Sequence, residues 1–220
     1  MEANDDPLFE AVNQVTKPDL WGLGNEVLYS LCRSYPKHED ENHIFAKIWL
    51  IGRAYSASIE RRRSKNQERK LQNWDYYKMA VETIKNSDID QWISDLKKEI
   101  PAKRFQRIIF THGKVVELFR EISGIYKRSL ASKYLHFHFP DYFFIYDSRA
   151  VNAIKNYKHL RGEGNRPSLE ECEIEEGSKI DKNYYAFVCN CLNLQDYVRT
   201  TYNVSLDPRQ IDRILLGGKV

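Results

Sequence analysis

Residues 122–154 read ISGIYKRSLASKYLHFHFPDYFFIYDSRAVNAI, and the reading of this stretch decides the fold. The apolar stripe Phe105, Ile108, His112, Val115, Phe119 and Ile122 recurs at helical spacing and runs into Gly124, where a helix C-cap glycine sits. A short turn leads to a second helix over 127–138. Pro140-Asp141 then turns the chain, and aromatic residues carry it back to Asp147. Asp147-Ser148 opens a third helix, with the aspartate at the N-cap.

Helical signals continue outward from there. Residues 7–35 hold one or two helices ending before Pro36. Residues 40–64 form a helix on Ile44, Ile48, Ile51, Tyr55 and Ile59, capped by Asp40 or Asn42. Another helix begins near Asn73, Asp88 caps a shorter one stopped by Pro101, and a long one spans about 181–202. Asp207-Pro208 opens the last, an N-cap followed by a first-turn proline. The segment 161–179 is polar and glycine-containing and reads as a surface loop. Glycine and proline are sparse, at 10 and 7 in 220 residues, and no strand alternation or internal repeat appears. The expected fold is one all-α domain over 1–220. It divides into helical subdomains, 1–35 plus 150–220 and 36–149, flanking a cleft.

The chain is 42% hydrophobic, enough to bury a core, and its net charge of +3 permits a nucleic-acid partner without demanding one. Its basic residues are clustered. Arg61, Arg62, Arg63, Lys65, Arg69 and Lys70 form one run, and Lys97, Lys98, Lys103, Arg104 and Arg107 another. Both suit phosphate contact, because cations that neutralise phosphates release counterions. The cysteines at 32, 172, 189 and 191 make no CxxC pair and no regular disulfide framework. The N-terminus carries no signal-type apolar region, and no apolar run approaches the roughly 18–20 residues of a membrane span. A reducing, cytoplasmic setting and no membrane partner are expected. No nucleotide-binding glycine loop is present. His136 and His138, two apart, point to different helix faces and form no metal pair. His112, on the apolar stripe of its helix, reads as a buried core histidine. Gly52 in mid-helix marks close packing or an approaching ligand; in the latter case Arg53 and Tyr55 line a pocket.

Taken as a unit, 122–154 resembles the core of the helix-hairpin-helix DNA glycosylase superfamily. Gly124 and Asp147 are 23 positions apart, the separation of that family's hairpin glycine and catalytic aspartate. Tyr126 stands where the hairpin carries its second glycine. Arg128 and Ser129 stand at the register of the lysine found in strand-cleaving members, with Lys127 beside them. The resemblance implies an enzyme that flips a modified or damaged base out of double-stranded DNA and hydrolyses its N-glycosidic bond. It further implies a monomer without a cofactor; the cysteines lack the pattern of the family's iron–sulfur variants. Asp147 is then the catalytic carboxylate, with Lys127 as a second candidate, and hydrolysis without strand cleavage is favoured. Tyr146, Tyr142, His136 and His138 are candidates to hold the base, with Arg53 and Tyr55 from the Gly52 helix. Gly124, Arg128, Lys133 and Arg149 join Arg61, Arg62 and Arg63 as candidate DNA contacts.

The chemistry fits those residue types. Losing a base leaves positive charge on the sugar, which a fixed carboxylate stabilises while orienting water. A flipped base is held by aromatic stacking and read at its polar edge. Other classes are open at this level. Aspartate-serine is also an ordinary helix N-cap. The chain is then a non-catalytic helical nucleic-acid-binding module, or a nuclease or toxin of unrelated helical fold.

Overall fold

The computed structural model describes residues 6–18, 20–61, 72–160, 162, 166–176 and 180–217. Among them the chain forms helices and no strand. These are α1 Pro7–Val15, α2 Gly22–Ser34, α3 Glu41–Ala54, α4 Asn73–Lys85, α5 Ile89–Lys98, α6 Arg104–Ser123, α7 Arg128–His138, α8 Ser148–Ala153, α9 Leu169–Glu176, α10 Lys182–Tyr202 and α11 Pro208–Leu215. Short 3₁₀ turns lie at Pro101–Lys103 and Ile154–Tyr157.

Aspartates set many of the starts. The side chains of Asp6, Asp40, Asp147, Asp181 and Asp207 each accept backbone N–H groups that the first helical turn leaves unpaired. Asp88 also stands at an N-cap but makes no such bond. Gly124 ends α6 in the left-handed conformation, φ 72°, with its N–H on the Arg120 carbonyl at 2.7 Å.

Two sequence expectations need correction. The helix expected over 40–64 stops at Ala54. Ser56 turns the chain with φ 52°, and the Ala57 N–H donates to the Gly52 carbonyl at 2.8 Å. A Cβ on Gly52 would lie 3.0 Å from Ser58 Cα. Gly52 therefore serves close packing, but against the returning turn of its own helix. The second correction is α9, which lies inside the expected 161–179 loop. Its start is a reciprocal cap: the Glu171 N–H donates to Ser168 Oγ at 3.1 Å, and the Ser168 N–H donates to Glu171 Oε2 at 2.6 Å. Cys172 on this helix is fully buried.

One contiguous apolar core runs from Leu8 on α1 to Leu215 on α11. At its centre α7 is buried from Leu130 to Phe137 and packs against α2, α3 and α6. α8 rests on α11, and α11 packs in turn on α1 and α10. The start of α8 therefore faces both α7 and the far C-terminal helix. No helix among the described residues is long and apolar enough to cross a membrane, and all four cysteines are free.

Candidate functional site

The segment 143–146 is fastened to α7, and this fixes where Asp147 stands. Ser132 Oγ accepts the Tyr146 N–H at 2.9 Å. His136 Nδ1 donates to the Phe143 carbonyl at 2.8 Å, and Tyr184 donates from α10 to the Phe144 carbonyl at 3.1 Å. Phe143, Phe144 and Ile145 are buried beneath. Asp147 follows with extended backbone, and its Oδ1 takes the N–H groups of Arg149 and Ala150 at 3.0 Å each. Its Oδ2 faces Lys133 Nζ at 3.3 Å. The side chain is 24% exposed.

What it is exposed to is a cavity of about 990 Å³, the size of a small-molecule or nucleotide site. Elements from both ends of the chain wall it: the start of α2, the turn after α3, the hairpin between α6 and α7, the start of α8, and α11. Among the described residues, six cationic side chains, Arg61, Lys127, Arg128, Lys133, Arg149 and Arg209, line it beside one carboxylate, Asp147. Two of them are tied to acids behind the wall, Arg128 to Asp181 and Arg209 to Asp212. The rim stays electropositive, so a ligand bearing negative charge is favoured. Tyr55, Tyr126, Tyr146 and Trp21 give the same cavity aromatic surface.

Searches of protein-family models, curated proteins and solved structures returned no match to this chain.

Of the candidate residues, Asp147, Lys127, Tyr146, Tyr55, Arg128, Lys133, Arg149 and Arg61 converge on the cavity. Lys127 Nζ donates to the Arg61 carbonyl, and the hairpin is thereby pinned to the turn after α3. Tyr55 donates to Asn25 Oδ1 at 2.6 Å, with Lys133 Nζ 5.6 Å from its ring centre. Gly124 is the C-cap of α6, behind the hairpin.

Others are placed elsewhere. His136 is fully buried, between the Tyr29 hydroxyl at 2.7 Å and the Phe143 carbonyl. Burial pulls its pKa down to about 4, so it is a neutral strut. His138 stacks on His38, and burial holds it well below the ordinary histidine range. Tyr142 stacks on Phe139, with the Arg104 guanidinium 5.2 Å from its ring centre. Arg53 pairs with buried Glu60 at 2.8 Å. None of these four lines the cavity. Of the second basic cluster, Lys97 lies over Phe139 and Arg107 pairs with Glu99, also away from it. Arg62 and Arg63 lie outside the described residues. Among the described residues, no group of three or more His, Cys, Asp or Glu is arranged to hold a metal ion.

Sequence reading missed Arg209, Asp212 and Trp21. Asp212 is 2% exposed beside the Arg209 guanidinium, and its Oδ1 is buried without a hydrogen-bond partner among the described residues. Burial raises its pKa to about 6; Arg209 and Lys133 oppose the rise, and the charge on Asp147 adds to it. The available signal was the acid next to Ile211 in the run IDRIL, on a short amphipathic helix.

Proposed function

We propose that this protein is a DNA glycosylase-like enzyme of helix-hairpin-helix type. It takes a modified or damaged base from double-stranded DNA into the cavity and hydrolyses the N-glycosidic bond, with Asp147 as the catalytic carboxylate. One observation carries the reading: the Asp147 carboxylate, held by its helix and by Lys133, opens onto a cavity of about 990 Å³ with a cationic rim. As the glycosidic bond breaks, the sugar becomes positively charged. A carboxylate whose orientation is already fixed stabilises that charge and orients the attacking water. Arg61, Arg128 and Arg149 suit the phosphates flanking the extruded nucleotide, and Tyr55 and Tyr146 offer ring faces for its base. The order of α6, a glycine-ended hairpin, α7, an aromatic return and an aspartate opening α8 is consistent with the family resemblance. Such an enzyme acts as a cytoplasmic monomer without a cofactor, in base-excision repair or in defence against phage carrying modified bases.

The test is an abasic-site assay on duplex oligonucleotides, each carrying one lesion or modified base, with wild type beside Asp147→Asn. Wild type is expected to leave alkali-labile sites on at least one duplex, and the variant to be slower by about 100-fold or more. Equal rates sink the mechanism. The competing reading, a non-catalytic nucleic-acid-binding module, draws on the full engagement of Asp147 in its cap and ion pair. Salt-dependent DNA binding with no base release on any duplex would establish it.

A further inference from the structure

The cavity wall holds an arginine that glycosidic hydrolysis does not use. Arg209, on α11, lines the cavity with 14% of its side chain exposed, and its guanidinium carbon lies 5.9 Å from the centre of the Tyr55 ring. Its partner Asp212 stands behind it, buried, and does not line the cavity. The two meet at one point, Nη1 on Oδ2. Arg209 Nε and Asp212 Oδ1 are both buried without a hydrogen-bond partner among the described residues. A well-matched guanidinium and carboxylate pair through two parallel bonds, and this pair does not. The carboxylate is poorly satisfied behind the wall, and the guanidinium charge is only partly answered.

The other cations have tasks in the proposed reaction: Arg61, Arg128 and Arg149 suit phosphates, and Lys133 holds Asp147. Arg209 has none. The cavity, about 990 Å³, also lies at the upper end of ligand-site volumes, and a bare base is smaller than the ligands such sites hold. Room is left for a substituent. We infer that the base drawn into the cavity carries an acidic substituent, and that Arg209, positioned by Asp212, receives it. The inference rests on the glycosylase reading and names its substrate class. A negative group taken out of water needs a charged partner, and Arg209 supplies charge-assisted donors. The substituent and Asp212 then compete for one guanidinium. Tyr29 from α2, Lys133 from α7, Asp147 from α8 and Cys191 from α10 also face Asp212. α1 meets α11 through Arg213, which donates to the Val15 and Lys17 carbonyls. Burial raises the Asp212 pKa to about 6. Below that pH the competitor is a neutral acid, so an acidic substituent is held more tightly as pH falls.

The test compares two duplexes of one sequence. One carries a single 5-carboxyvinyluracil, the other its uncharged, near-isosteric carboxamide. Both have a 2′-fluoroarabino sugar at that position, whose fluorine opposes positive charge on the sugar and keeps the base attached. In anisotropy titrations near pH 6, wild type is expected to bind the acid duplex on the order of tenfold more tightly, with a smaller margin near pH 8. Arg209→Gln is expected to bring the two duplexes within about twofold of each other. Arg149→Gln is expected to weaken both alike through a lost phosphate contact. Asp212→Asn is expected to keep the preference and remove its dependence on pH, which a merely structural ion pair would not do. Thermal melts check that each variant is folded. Equal binding of the two duplexes by wild type, or an Arg209→Gln that weakens both and keeps their ratio, overturns the inference; the glycosylase reading then stands on its own abasic-site assay. A preference still dependent on pH in Asp212→Asn removes Asp212 from the mechanism. A preference for the acid, with no base released by wild type from any cleavable duplex, sinks the glycosylase reading and leaves Arg209 as the recognition residue of a binding module. If wild type binds neither duplex, both readings fall.

Discussion

Lys133 Nζ lies 3.3 Å from Asp147 Oδ2, and the same ammonium donates to Ser129 Oγ at 3.0 Å and to the Tyr55 carbonyl at 3.3 Å. One cation thus joins α7, the turn after α3 and the start of α8. Burial pulls the Lys133 pKa down, and the Asp147 charge opposes that. The amine is 3% exposed and its donors are spent on these partners, so it is a brace and not a presented nucleophile. Borohydride added during turnover is therefore expected to trap no protein–DNA adduct. An adduct that disappears in Lys133→Ala would move the chemistry to a lyase. Lys133→Met, which keeps the apolar stem, is expected to cost about 1–3 kcal/mol in thermal denaturation, as Asp147 loses its buried partner.

Asp147 caps α8, and in the proposed reaction it is also the catalytic carboxylate; substitution can separate the two. Asparagine caps a helix about as well as aspartate, whereas alanine forfeits roughly 1 kcal/mol. Asp147→Asn is expected to unfold within about 1 kcal/mol of wild type, with Asp147→Ala below it by about a further 1 kcal/mol. Both are expected to lose base release. Denaturant melts of the three proteins, run beside the abasic-site assay, check the separation. If Asn retains activity that Ala lacks, the carboxylate acts only as a cap.

How far the molecule was legible in its sequence follows from the range of each interaction. Asp40, Asp181 and Asp207 cap helices through bonds within three residues, and Gly124 ends α6 by its own backbone. Such features are local and readable. The end of α3 was not, because Ser56 adopts a positive φ without the glycine that normally signals it. The start of α9 was written in the S-x-x-E of Ser168 and Glu171, a signal obscured by the polar segment around it. That Asp147, Tyr146 and Arg128 come to one cavity was legible because hairpin, return and cap are contiguous in the chain. His136 and His138 stand away from that cavity because nearness in sequence does not fix the face, and α7 is buried nearly all round. Trp21 and Arg209 were out of reach: they come from opposite ends of the chain, and only tertiary packing brings them to one wall.

Burial makes opposite demands on the acids and bases of this core, and the sign differs between them. His112 stacks on Tyr184 with ring centres 3.4 Å apart, and burial drives its pKa from 6.5 to about 3. The unfolded chain takes up that proton below about pH 6.5 while the folded one does not, so stability is present above 6.5 and is lost as pH falls. The slope is on the order of 1.4 kcal/mol per pH unit. Asp212 runs the other way, with its pKa raised from 3.8 to about 6. The folded state holds the extra proton, so stability is lost as pH rises across that interval. Melts from pH 4 to 7 are expected to show a shallower acid loss in His112→Leu than in wild type. In Asp212→Asn, stability relative to wild type is expected to improve as pH rises. Parallel curves for all three proteins would remove both assignments.

Gly52 and Gly113 are both helical glycines, and their surroundings predict opposite outcomes. A Cβ at Gly113 meets nothing within 4 Å, so Gly113→Ala is expected to stabilise by up to about 1 kcal/mol through the lost freedom of the unfolded chain. At Gly52 the Cβ would sit 3.0 Å from Ser58 Cα, and that backbone cannot yield cheaply. Ala57 is bonded to the Gly52 carbonyl, while Glu60 holds Arg53 and accepts from the Tyr77 hydroxyl at 2.7 Å. Gly52→Ala is therefore expected to destabilise by about 1–3 kcal/mol. The effect should reach the site, because the displaced turn supplies the Tyr55 carbonyl to Lys133 and the Arg61 carbonyl to Lys127. Loss of base release in Gly52→Ala at a temperature where it remains folded, with Gly113→Ala fully active, is the expected pair of results. A fully active Gly52→Ala would show that the two lysines hold their positions without that turn.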